Sequence, residues 1–190
     1  FGFSSGILSF GNINVSVTAT AGHELYVAKL SNNGTWQWAE GAFSTNAVYG
    51  SAIFIDASDN IFVTGGFQGT ATFGNFTLVS NSATCFFVAK MDSDDGTWKR
   101  VVNDGTSGSS LTTDIFITSG VIFVIGHFSG TTTFAGNALS SNGGRDIFVG
   151  LSGLDIDGDS VGDWEDDFPM EPTQHSDQDG DGFGDELTGF

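Results

Sequence analysis

The chain has 190 residues, 39% of them hydrophobic, which is enough for a packed core. Its formal net charge of −18 rests on 23 acids against five Lys and Arg, so a phosphate-binding surface, which needs clustered cations, is excluded along with nucleic acid as a partner. No apolar run has the length of a membrane-spanning helix, and the single cysteine, Cys85, cannot form an internal disulfide.

The chain opens in strand-like sequence with no signal peptide, which suits a processed product or a piece of a longer protein. Residues 1–153 are repetitive. E-L-Y-V-A-K-L at 24–30 returns as C-F-F-V-A-K-M at 85–91 and as D-I-F-V-G-L-S at 146–152, placing Val27, Val88 and Val149 at intervals of 61 residues. N-I-F-V-T-G-G-F-Q-G-T-A-T-F-G at 60–74 maps onto V-I-F-V-I-G-H-F-S-G-T-T-T-F-A at 121–135, with an earlier copy at 3–11, and N-G-T-W at 33–36 recurs as D-G-T-W at 95–98.

Within one period, S-A-I-F-I-D, N-I-F-V-T-G-G-F, T-A-T-F-G and C-F-F-V-A-K-M alternate apolar and polar residues and are rich in β-branched and aromatic side chains. Turn signals separate them at D-A-S-D-N, Asn33-Gly34 and Asp95-Gly96. The expectation is four or five short strands per period and no helix, with the 19 phenylalanines supplying sheet-packing mass. Cys85, inside one such strand, is expected to be a small buried hydrophobe.

I-F-I-D-A-S-D-N-I-F-V-T-G, then F-x-G-T-A-T-F-G, then F-V-A-K-M-D-S-D-D-G-T-W resembles the bacterial β-propeller repeats of the SBBP type over most of residues 1–153. That resemblance implies antiparallel, propeller-like sheets of about four strands in extracellular prokaryotic proteins. Two periods plus an N-terminal pair of strands fall short of the roughly four to eight blades that close a propeller. The body is therefore either part of a longer array or a unit whose sheet edges are covered by another copy, and its incomplete ends suit head-to-tail self-association.

Catalytic constellations are weak. His23, His127 and His175 belong to no H-E-x-x-H, no G-x-S-x-G is present, and His127 occupies the repeat slot of Gly66. Asp56, Asp59, Asp92, Asp94 and Asp95 sit in turn signals, where hydrogen bonds to backbone explain them, with a calcium near Asp92 to Asp95 as the sharper alternative. Trp36 and Trp98 recur with the repeat and Trp38 lies beside them, which favours inter-sheet packing over sugar stacking. Lys29 and Lys90 also recur, but Leu151 breaks the series.

The last segment, residues 154–190, is different in kind: from 155 onward it holds 13 acids and no Lys or Arg. Asp155, Asp157, Asp159, Asp163 and Asp166 fall on positions 1, 3, 5, 9 and 12 of a calcium loop, with the Val161 carbonyl at position 7. A second copy places Asp177, Asp179, Asp181, the Phe183 carbonyl and Asp185 likewise, but has Thr188 at position 12. A hard divalent ion needs six to eight oxygens, and alternate aspartates with interposed glycines let one loop supply them.

Pro169 and Pro172 stand where the exit helix of an EF-hand would run, and position 12 lacks its bidentate glutamate. The stretch instead resembles thrombospondin type 3 calcium repeats, D-x-D-G-D-G-x-x-D-x-x-D-x-x-P, through Pro169, with Ser160 in place of a glycine and Phe168 in place of the usual cysteine. Three N-x-[ST] sequons, at Asn14, Asn33 and Asn75, fit a secreted, glycosylated surface.

The sequence thus reads as an all-β extracellular or cell-surface protein that is not an enzyme: a propeller-like repeat body, residues 1–153, and an irregular calcium-stabilised tail, residues 154–190. The expected role is structural, as part of a surface filament, appendage or adhesive layer. The competing reading is a carbohydrate- or ligand-binding module of a larger secreted protein.

Overall fold

Alternation with a period of two gives each strand of the body two faces, and the repeat decides what each face meets. The computed structural model describes residues 6–17, 22–80, 84–103, 108–118, 121–134, 137–152 and 173–174. These form an all-β structure of antiparallel sheets, with no helix among the described residues.

In chain order the strands are β1 (Gly6–Phe10), β2 (Ile13–Val17), β3 (Leu25–Leu30), β4 (Trp36–Ser44), β5 (Ala47–Ile55), β6 (Ile61–Gln68), β7 (Thr70–Phe73), β8 (Phe76–Val79), β9 (Cys85–Met91), β10 (Trp98–Asn103), β11 (Ser109–Thr118), β12 (Val121–Ser129), β13 (Thr131–Phe134), β14 (Asn137–Ser140) and β15 (Asp146–Ser152). The first sheet runs β3-β4-β7-β8, the second β10-β9-β6-β5 and the third β11-β12-β15, with β1-β2 and β13-β14 as separate hairpins. One period therefore holds six strands, β5 to β10, where the sequence reading expects four or five. The additional strands are β8, which follows β7 after the tight turn at Gly74 and Asn75, and β10, which opens on Trp98.

The β7-β8 hairpin crosses between sheets. In sequence it lies between β6 and β9, both of the second sheet, yet it pairs with β4 of the first through Ala42 opposite Phe73, Phe43 opposite Thr72 and Ser44 opposite Ala71. Neighbouring repeats are thus stitched by backbone hydrogen bonds as well as by packing. The hairpin is also latched by a ring contact: Phe73 meets Trp98 edge-on at 5.2 Å, as Phe10 of the β1-β2 hairpin meets Trp36 at 5.1 Å. Gly74 and Gly11 take positive φ at the two hairpin turns, and an added Cβ would come 3.2 and 3.1 Å from the Cδ1 atoms of Trp98 and Trp36.

The central strands of the second sheet, β6 and β9, are buried on both faces, which is why they read as nearly continuous apolar runs instead of clean alternation. On β9, Cys85, Phe87, Ala89 and Met91 join the core shared with Leu25, Val27, Trp38 and Phe73 of the first sheet. Phe86 and Val88, between them, join the core shared with Ile115, Ile117, Ile122, Val124 and Phe148 of the third sheet. Each Val, Leu, Ile, Phe or Met among them contributes about 1.5–3 kcal/mol on burial. Cys85 is buried, as its strand position predicts.

Polar links repeat as well. The Val48 N–H donates to the His23 carbonyl at 2.8 Å, and at the equivalent place the Ser110 N–H donates to the Thr84 carbonyl at 2.7 Å. Between the second and third sheets the buried Thr64 hydroxyl lies 2.7 Å from both the Phe87 carbonyl and the Thr112 hydroxyl, and Thr112 donates to the Gly65 carbonyl at 3.0 Å.

Candidate assembly interface

The repeat that covers the second sheet leaves the third sheet's outer face open. On β15 the alternate residues Ile147, Val149 and Leu151 point away from the core, opposite the inward-facing Phe148. Register places His127 opposite Ile147, Ile125 opposite Val149 and Phe123 opposite Leu151, and Phe116 of β11 opposite Phe123. The result is a contiguous apolar face on one side of a three-stranded sheet, whose last strand, β15, is also an edge among the described residues.

Repeat-equivalent positions measure how unusual this exposure is. Phe86 and Val88 are each 1% exposed, whereas their counterparts Ile147 and Val149 are 80% and 59% exposed. Composition is not the difference, since both pairs are apolar; what differs is that a further sheet covers the first pair. A second opening lies at the other end. Ile53 and Ile55 of β5 are exposed while their equivalents Ile115 and Ile117 are buried, because among the described residues the first sheet has no counterparts of β5 and β6.

The first sheet's free face is built from β3. Leu25 and Val27 point into the core, so Glu24, Tyr26, Ala28 and Leu30 take the other side. Glu24 is only 7% exposed, at the position held by Cys85 in the next repeat. Its Oε2 accepts a hydrogen bond from the Tyr26 hydroxyl, and its Oε1 has no hydrogen-bond partner. Burial, then the Glu24 carboxylate as acceptor and as a charge, pushes the Tyr26 phenol well above its ordinary range. The Glu24 and Tyr26 side chains line a cleft with Leu8, Phe10, His23 and Tyr49. A desolvated carboxylate oxygen without a donor is costly, so the cleft is suited to a cationic or hydrogen-bond-donating group.

The residues singled out in the sequence fall as follows. Asp155, Asp157, Asp159, Val161, Asp163, Asp166, Asp177, Asp179, Asp181, Phe183 and Asp185, the expected calcium ligands, all lie outside the described residues. Among the described residues no group of three or more His, Cys, Asp or Glu side chains is arranged to hold a metal ion. The aspartates of the body do serve turns: Asp56 accepts from the Ser58 and Asn60 backbone N–H groups at 2.9 and 2.8 Å, Asp92 from that of Asp94 at 2.7 Å and Asp95 from that of Thr97 at 2.8 Å. The Thr97 bonds hold the Asp95 carboxyl below its ordinary range.

Trp98 and Trp38 are buried, and the Trp38 Nε1 and the Lys29 ammonium both donate to the Ser93 carbonyl, at 3.0 and 2.7 Å. Packing thus accounts for these two tryptophans, and a structural bond for Lys29. Asn14, Asn33 and Asn75 are exposed on β2 and in the turns before β4 and β8, positions open to glycosylation.

Sequence reasoning missed Glu24 and the open face as specific surfaces. The signal for the face was present: I-x-V-x-L on β15 aligns with F-x-V-x-K on β9 but is followed by the aspartate-rich segment from Asp155 and not by a repeat of D-G-T-W-K-R-V-V. The signal for Glu24 was an acid at a strand position that is cysteine one repeat later. No protein-family model matches the chain and no curated protein matches it, so the likenesses to SBBP-type propeller repeats and thrombospondin type 3 repeats rest on the motifs alone.

Proposed function

We propose that this chain is a non-enzymatic structural subunit or segment of an extracellular assembly, such as a surface filament, appendage or adhesive layer. One observation carries the reading. The outer face of the third sheet presents Ile147, Val149 and Leu151 to solvent at repeat positions that a further sheet covers one period earlier. A monomer that keeps such a patch exposed loses the hydrophobic stabilisation its own second sheet enjoys, and a contiguous apolar face marks an interaction site.

In this reading the tail carries calcium through the carboxylates of Asp155 to Asp185 and forms a stiff connector at the end of the repeat body. Calcium neutralises much of the tail's charge, so that acidic chains can approach one another at extracellular calcium concentrations. The test is light scattering and negative-stain imaging of the full chain in millimolar calcium. Defined oligomers or polymers are expected. A chain that stays strictly monomeric over a wide concentration range in calcium would overturn the proposal.

A further inference from the structure

The in-chain stacking of the sheets specifies how a second copy would sit on the open face. Phe86 on the outer face of the second sheet stacks on Phe148 of the third, ring centroids 5.4 Å apart and planes 27° from parallel. Phe148 stands one position further along the repeat than Ile147, the counterpart of Phe86. This contact therefore sets a step of one residue between β9 and β15: the outer residue Phe86 meets the residue one place beyond its own counterpart in the next unit. In the first core Leu25 and Val27 of β3 belong to the same buried cluster as Phe87 and Ala89 of β9.

Applied once more, this step leaves the chain. Ile147 falls over the position of Phe148 in a following unit, and when that unit is the first sheet of a second copy the residue there is Tyr26. Val149 falls over Ala28, and Leu151 over Leu30, both on the first sheet's free face. One alternation earlier, Arg145 falls over Glu24. Arg145 is exposed at the head of β15 and, of the five Lys and Arg side chains, it alone has no hydrogen-bond or ion-pair partner among the described residues. Glu24 is the buried carboxylate whose Oε1 lacks a donor.

We infer that copies of this chain stack head to tail, third sheet on first sheet, with the Arg145 guanidinium of one copy donating to the Glu24 carboxylate of the next. The occupant is a second copy because the two faces are complementary in register: apolar over apolar at three alternate positions, and, among the described residues, the one cation without a partner over the one buried acid with an unsatisfied oxygen. This contact repeats the step that Phe86 makes onto Phe148 within the chain, with β3 of the second copy in the place of β15. A guanidinium brought into the aromatic cleft supplies the donor that Glu24 Oε1 lacks, and Tyr26 gives it a ring to pack on. The inference rests on the assembly reading above and specifies its register.

The experiment is sedimentation velocity on the full chain in calcium, comparing wild type with Glu24→Gln, Arg145→Glu and the pair Glu24→Arg with Arg145→Glu. Each single variant is expected to weaken association at least about tenfold, as for truncating one partner of a desolvated charge pair. Circular dichroism checks that each stays folded. Because Glu24→Arg can disturb β3 itself, register is read independently in a double variant, Ala28→Cys with Val149→Cys. It should form disulfide-linked ladders under mild oxidation, while Ala28→Cys with Thr118→Cys should not. If wild type associates but neither single variant weakens it and no ladder forms, this register is wrong and the assembly reading stands. A monomeric wild type overturns both.

Discussion

Phe86 and Phe148 stack at 5.4 Å between the second and third sheets, while Ile147, next to Phe148 and equivalent to Phe86, stands 80% exposed. The same repeat position is thus core in one unit and surface in the next. The side chains do not decide this; the presence of a covering sheet does. Phe86→Ala should therefore cost about 3–5 kcal/mol, the range for emptying an aromatic core site. Ile147→Ala should change monomer stability by less than about 0.5 kcal/mol, as an exposed substitution does. Urea unfolding at dilute concentration measures both, and a large loss for Ile147→Ala would show that its face is already covered in the monomer.

The body was largely legible in the sequence because its period is regular and its strands alternate. Val27, Val88 and Val149 gave the spacing, and the strands around them carry the sheets. Three features were not legible. The transfer of β7-β8 to the first sheet depends on pairing with β4 at Ala42 to Ser44, a long-range choice that no local pattern encodes. The double burial of β9 hides its alternation, since both faces are apolar. Glu24 looks like a solvated strand-end acid until β1 and Tyr49 are placed around it. The expected calcium ligands lie outside the described residues, and the motif alone carries that expectation.

The hairpin latch makes a second prediction. Gly74 has a φ of +55° and an added Cβ would lie 3.2 Å from the Trp98 ring. An L side chain there is disfavoured by the left-handed backbone, at about 1–2 kcal/mol, and additionally presses on the ring. Gly74→Ala should lower stability by about that amount and raise amide exchange in β7 and β8 before β6 or β9. Uniform exchange across the second sheet would show instead that the hairpin opens only with the whole body.

Thr64 and Thr112 form a small buried network between the second and third sheets, through their hydroxyls and the Phe87 and Gly65 carbonyls. Thr64→Val alone leaves the Phe87 carbonyl without this donor and should cost about 1–3 kcal/mol. The double replacement Thr64→Val with Thr112→Val should cost less than the sum of the singles, by about 0.5 kcal/mol or more, because contacting groups couple. Strict additivity in a thermal-unfolding cycle would show that the two hydroxyls act independently.

The tail is where calcium should act, and the test separates order from mere charge. If Asp155 to Asp185 hold calcium, limited proteolysis of the full chain should cut within residues 154–190 after chelation and spare them in millimolar calcium, with residues 22–103 protected in both. Asp157→Ala and Asp179→Ala each remove a ligand from one loop, so each should expose its own loop to cleavage in calcium while leaving the other protected. Magnesium is the control: it demands near-octahedral geometry and gives up its waters reluctantly, so at equal concentration it should protect poorly although it screens the 13 acids of residues 155–190 comparably. Equal protection by both ions would mean that the tail responds to charge neutralisation alone, and the ligand assignment to Asp157 and Asp179 would fail.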